Sequence, residues 1–193
     1  MDTNGHAFKP HSKEYLENVE FVDEGIKKAV ELLENFYDHD GKTAYIYTAD
    51  HGMSDAGTHG DGNPDNTRTP LVAWGAGVST PEAVRKNQSI TKDDHDEFSK
   101  DWNLSKWTRK DINQADMTPF MASLIGTSIP VNSEGILPLG FLEGSTKMKC
   151  NALLDNCRQI FASYKLKEGL KIRKEPLFKP FKITADQIES KIR

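Results

Sequence analysis

Thr43-Ala44-Tyr45-Ile46-Tyr47-Thr48-Ala49-Asp50-His51-Gly52-Met53 passes, without a break, from a β-branched and aromatic run to a carboxylate, an imidazole and a glycine. The first seven residues predict a buried strand. Two polar groups at the end of such a strand are costly to bury without partners. A carboxylate and an imidazole leaving a strand end together, with a glycine to free the backbone, are placed to grip a divalent metal in a crevice beyond the sheet.

Two neighbouring clusters offer the same chemistry. Downstream, Gly57-Thr58-His59-Gly60 sets an imidazole between two glycines, and the Asp61-Gly62-Asn63-Pro64 turn keeps that segment a loop. Upstream, Asp2-Thr3-Asn4-Gly5-His6 spaces a carboxylate and an imidazole four residues apart. Taken alone, Asp2 and His6 read as capping or solvated groups. Together the three clusters make Asp2, His6, Asp50, His51 and His59 the candidate metal ligands. His11, His39 and His95 lack patterned neighbours and read as surface residues.

Further out, Ser12 to Tyr37 places Leu16, Val19, Val22, Ile26, Val30, Leu33 and Phe36 at helical spacing, with Ser12 as N-cap and Asp40-Gly41 as the closing turn. Thr69 to Trp74 predicts a second strand ending in Gly75-Ala76-Gly77. Asp116-Met117-Thr118-Pro119 supplies a capping residue and a proline at a first helical position for a helix with Phe120, Met121, Leu124 and Ile125 on its apolar side, ended by Gly126, and Ser145 to Tyr164 predicts the last helix, burying Met148, Leu153, Leu154, Ile160 and Phe161. Helix and strand in alternation predict an α/β fold with a mostly parallel sheet flanked by helices. A metal ligand at position 2 has no element before it to hold it, so the chain reads as the carboxy-terminal part of a larger catalytic domain. That part spans 1–165, and 166–193 reads as a polar tail leading toward a membrane region outside these residues.

Composition bounds the function. The 193 residues are 36% hydrophobic and 28% charged, with a formal charge of −4, so clustered cationic excess for nucleic-acid binding is lacking. The one basic stretch, Lys165 to Lys182, is broken by acids and prolines. Cys150 and Cys157 stand seven apart in a helical segment, about 10 Å along the axis, too far for a bridge. Asn87-Gln88-Ser89 and Asn103-Leu104-Ser105, on the polar excursion between Ser79 and Lys110, are glycan acceptor triplets for a lumenal protein. No apolar run reaches the ~20 residues of a membrane span.

Asp50-His51-Gly52-Met53-Ser54, Gly57-Thr58-His59-Gly60-Asp61-Gly62 and Thr69-Pro70-Leu71-Val72-Ala73-Trp74-Gly75-Ala76-Gly77 closely resemble the lumenal domain of the GPI ethanolamine phosphate transferases, a family of the alkaline phosphatase superfamily. Asp2-Thr3-Asn4-Gly5-His6, Gln114 to Pro119 and Ile129 to Pro138 also resemble it. The Asp-Thr-Asn-Gly-His and Trp-Gly-Ala-Gly wording points to the member that modifies the first mannose of the glycan.

This resemblance implies a partial alkaline-phosphatase-like fold. It implies one zinc on Asp2, His6 and His59 and a second on Asp50 and His51, with manganese as the alternative ion. The second site's other Asp and the nucleophilic threonine fall outside these residues, so no catalytic nucleophile is assigned within the chain. Phosphatidylethanolamine and a mannosylated GPI precursor are the implied substrates, and the lumenal face of the endoplasmic reticulum membrane is the implied location. Arg68 stands where the family carries an apolar residue and is expected to face water. A hydrolase of the same superfamily and an inactive metal-binding module are the alternative readings.

Overall fold

In the computed structural model, which describes residues 1–84, 102–181, 187 and 190, the first strand is β1 (Ala44–Thr48). It pairs with β2 (Leu71–Gly75) in antiparallel register, Tyr45 opposite Trp74 and Tyr47 opposite Val72. Among the described residues this pair is the whole sheet, so the mostly parallel sheet expected from the sequence is not confirmed by it. A parallel pair needs a crossover to bring the chain back to its starting end, whereas residues 49–70 carry only the single turn α3 (Pro64–Thr67). The chain therefore turns beyond the strand end and returns alongside β1. The Tyr45 and Trp74 rings stack across the pair at 5.1 Å.

The chain divides into two units, Met1–Ala76 with Ala83–Trp107, and Gly77–Glu82 with Thr108–Arg193. In the first, α1 (Asp2–Phe8) packs against α2 (Lys13–Phe36). Ser12 caps α2 by accepting the Tyr15 N–H at 3.1 Å, a contribution of about 0.5–2 kcal/mol. The inward face of α2 is offset from the expected stripe: Tyr15, Asn18, Val22, Ile26, Val30 and Glu34 are half-buried, while Leu16 and Phe36 stay exposed. Glu34 accepts the Tyr45 hydroxyl at 2.7 Å and ties the helix to β1. That bond is the main reason the Tyr45 phenol titrates above its ordinary value.

The second unit holds the apolar core. Val78, Phe120, Ala122, Leu137 and Leu142 are buried, and Phe120 meets Phe141 edge-on at 5.7 Å. α4 (Met117–Ile125) turns Phe120 inward, but Met121 and Ile125, expected on the same apolar side, face outward. α5 (Thr146–Lys174) runs past Tyr164, the end predicted from sequence. Of its expected inward residues, Leu153, Leu154, Ile160 and Phe161 are half-buried and Met148 is exposed. Its one buried residue is polar. Asn156 accepts the Leu137 N–H at 2.9 Å and donates to Gly135 O at 3.1 Å, and Gln159 donates to Val131 O and Ser133 O. Two amides one turn apart thus hold the loop before Pro138, which forms no strand. No helix among the described residues is long and apolar enough to cross a membrane.

Candidate metal centre

The site lies within the first unit and is built from α1 and the connection between the strands. Because Asp2 and His6 are one helical turn apart, they share a face of α1, with His6 Nε2 3.5 Å from Asp2 Oδ2. His6 Nδ1 donates to Gly57 O at 2.7 Å. A carbonyl can only accept, so the proton sits on Nδ1 and Nε2 keeps its lone pair, the usual support for a metal-ligating histidine. That lone pair faces His59 Nε2 at 3.2 Å. His59 Nε2 also lies 3.4 Å from Asp2 Oδ1. The 3.2 Å gap is closed either by an N–H from His59 or by a cation between the rings.

These spacings fit a tetrahedral ion. Ligands at 2.0–2.1 Å around zinc stand about 3.3–3.4 Å apart; the His6–His59 separation of 3.2 Å is close to that, each imidazole meets a different Asp2 oxygen, and with one donor atom from each residue all three lie within 4.8 Å. A carboxylate with two imidazoles is a zinc-like donor set, and the same oxygen ligand admits manganese.

His51 stacks on His59 beside this group. Its Nδ1 donates to Gly52 O at 2.8 Å, fixing the same tautomer. Its Nε2 lies 3.9 Å from Asp2 Oδ1 and 3.8 Å from Asp50 Oδ2. The His51 and His59 side chains keep about a third of their surface, whereas Asp50 keeps 89%. Asp50 is thus a rim carboxylate, not a buried one, and the desolvation that its place after β1 suggested falls on His51. The structure brings all five predicted residues to one end of the β1–β2 pair.

The backbone explains the glycines. Gly5 is buried, and a side chain there would collide with Met53. Gly57 adopts φ +75°, and a Cβ on it would stand 2.8 Å from Gly5 O. Helix and loop therefore meet backbone to backbone, which brings His59 to His6. Ser54 and Thr58 hydroxyls close the neck of this loop at 3.1 Å, and His11 meets Asp55 at 2.9 Å on its exposed side.

Asn66 is the residue that sequence reasoning missed. It is 3% exposed, donates from Nδ2 to Asp61 Oδ1 at 2.6 Å, and accepts the Gly52 N–H on its backbone oxygen at 2.8 Å. The Asn63 N–H and the Asn66 amide hold the Asp61 carboxyl below its ordinary range. The available signal was Asn63-Pro64, an N-cap followed by proline at the first helical position, which marks α3. Arg68 is exposed. Asn103 is exposed, with φ 56°, and Asn87 and His95 lie outside the described residues.

Comparison with known proteins gives one family, Sulfatase, matching residues 4–127. The chain is 47% identical to mouse (Mus musculus) GPI ethanolamine phosphate transferase 1 over 96% of its own length and 20% of the relative's. It is 45% identical to the human (Homo sapiens) protein of that name, again over 96% of the chain and 20% of the relative. Against the Aspergillus oryzae protein of that name the figure is 47%, over 100% of the chain and 18% of the relative. The chain therefore spans about a fifth of the length of these curated relatives. No solved structure matches it.

Proposed function

As the chain belongs to the sulfatase family, we propose that it carries the metal-binding part of an enzyme that transfers ethanolamine phosphate from phosphatidylethanolamine to the first mannose of a GPI precursor. The observation that carries this reading is the convergence of His6 and His59 at 3.2 Å over the Asp2 carboxylate, in a chain 47% identical to a transferase of that name. Asp2, His6 and His59 would hold one zinc, and Asp50 and His51 would contribute to a second. Divalent ions at such a site neutralise phosphoryl oxygens and lower the pKa of a bound hydroxyl.

The chain's own residues supply the orientation. Gly57 O and Gly52 O each hold an imidazole with Nε2 turned toward Asp2, and Asp50 stands exposed at the rim of the site. Ser54 and Thr58 are engaged with each other and with the loop backbone, so neither is assigned as nucleophile. That role goes to a threonine outside these residues, within an alkaline-phosphatase-like domain. The isolated chain then holds metal without transferring. Location at the lumenal face of the endoplasmic reticulum belongs to the same reading, with Asn87 and Asn103 as glycan acceptors and 166–193 leading toward the membrane.

The test is a graft. Residues 1–193 replace the matching segment of the mouse relative, and modified glycan is measured by mass in cells lacking their own transferase. The expected result is transfer by the graft, and none by the graft bearing His59→Ala or by the isolated chain supplied with zinc. Release of ethanolamine phosphate to water without modified glycan would replace transfer with hydrolysis.

A further inference from the structure

We infer that Asn66, anchored by Asp61, is a positioning residue that fixes which nitrogen of His51 faces the carboxylates. Gly52, next to His51, is held through both of its backbone groups, which lie on successive peptide planes: its N–H donates to Asn66 O at 2.8 Å, and its carbonyl accepts from His51 Nδ1 at 2.8 Å. Gly52 cannot reorient freely without losing one of these bonds. While they hold, the His51 proton stays on Nδ1 and Nε2 stays turned toward Asp2 and Asp50.

The position of Asn66 O depends on α3, four residues that would fray on their own. The Asn66 side chain prevents this. Its Nδ2 donates to Asp61 Oδ1 at 2.6 Å, and the same carboxylate oxygen accepts the Asn63 N–H at 2.9 Å. Asn66 Oδ1 is buried and has no donor among the described residues. The bond to Asp61 accounts for an amide there.

The role of His51 as a ligand rests on the metal-centre reading, but the positioning of its ring is measurable without metal. The experiment uses the ¹⁵N-labelled 193-residue chain, metal-free and at one pH, as wild type, Asn66→Ala, Asp61→Ala and Asp61→Asn. His51 ring-nitrogen shifts report the tautomer, and hydrogen exchange reports the Gly52 amide. Both alanine variants should mix the His51 tautomers and raise Gly52 exchange about tenfold, while amides in α2 keep their protection. Asp61→Asn keeps an acceptor oxygen and should match wild type. Titration with zinc chloride should then show affinity reduced about tenfold in the alanine variants alone. Unchanged tautomer and exchange in the alanine variants would overturn the inference. Asp61 is exposed, so Asp61→Ala decides the matter even where Asn66→Ala fails to fold. Failure of the wild-type chain to bind zinc would count against the metal reading and leave the exchange result standing.

Discussion

His51 and His59 stack with ring centroids 3.7 Å apart and 21° between their planes. One ring leaves the end of β1 and the other comes from the loop that returns toward β2, so their contact aligns two imidazoles along one side of Asp2. Only His59 belongs to the group whose donor atoms lie mutually within 4.8 Å. The two rings should therefore differ in function despite their contact.

That difference is measurable by calorimetric zinc titration of the isolated chain. His59→Ala removes a ligand and should weaken binding by more than the roughly 10–100-fold expected for losing a supporting contact. His51→Ala removes the stacked neighbour, which the proposal gives to the second ion, and should weaken binding at the Asp2–His6–His59 ion only within that range. Equal losses would mean that all three imidazoles share one ion.

Gly57→Ala tests the loop that brings His59 to His6. The new methyl meets Gly5 O at 2.8 Å in a backbone of φ +75°, so a loss of about 1–3 kcal/mol is expected in urea unfolding. Zinc affinity should drop with it, because the carbonyl that orients His6 moves.

Asn156→Ala should destabilise the second unit by about 1–3 kcal/mol, since it leaves the Leu137 N–H and Gly135 O without partners in a buried place. Asn156→Asp keeps the acceptor for Leu137 but sets a buried carboxylate oxygen against Gly135 O, and should destabilise at least as much as alanine at neutral pH. Unfolding midpoints in denaturant decide the order.

The Glu134 carboxyl lies below its ordinary range because the Lys167 ammonium donates to it at 2.9 Å. A folded-state pKa below the unfolded one gives stability that is complete above the unfolded value, about 4.3, and is lost as pH falls through the folded value. Thermal unfolding should therefore show a decline below about pH 4 that Glu134→Gln flattens. Both side chains are exposed, so the effect should be small and should fade in 1 M salt.

The sequence by itself marked the longer local elements and the candidate ligands. Ser12 announced α2 because a hydroxyl before an amphipathic run satisfies an orphan N–H, and β1 was legible because β-branched and aromatic residues suit a pleated strand. Asp50-His51 stood out because polarity after an apolar run is costly without a purpose. The antiparallel return of β2 was decided only in three dimensions, because an alternation of helices and strands does not say which strands are neighbours, and a connection without a crossover pairs them antiparallel once they are. The same holds for α2, whose inward face depends on how much surface the rest of its unit can cover. Asn66 and Asn156 were invisible for a related reason. An asparagine reads as polar and exposed until folding brings to it the one carboxylate or the two backbone groups that its amide can satisfy.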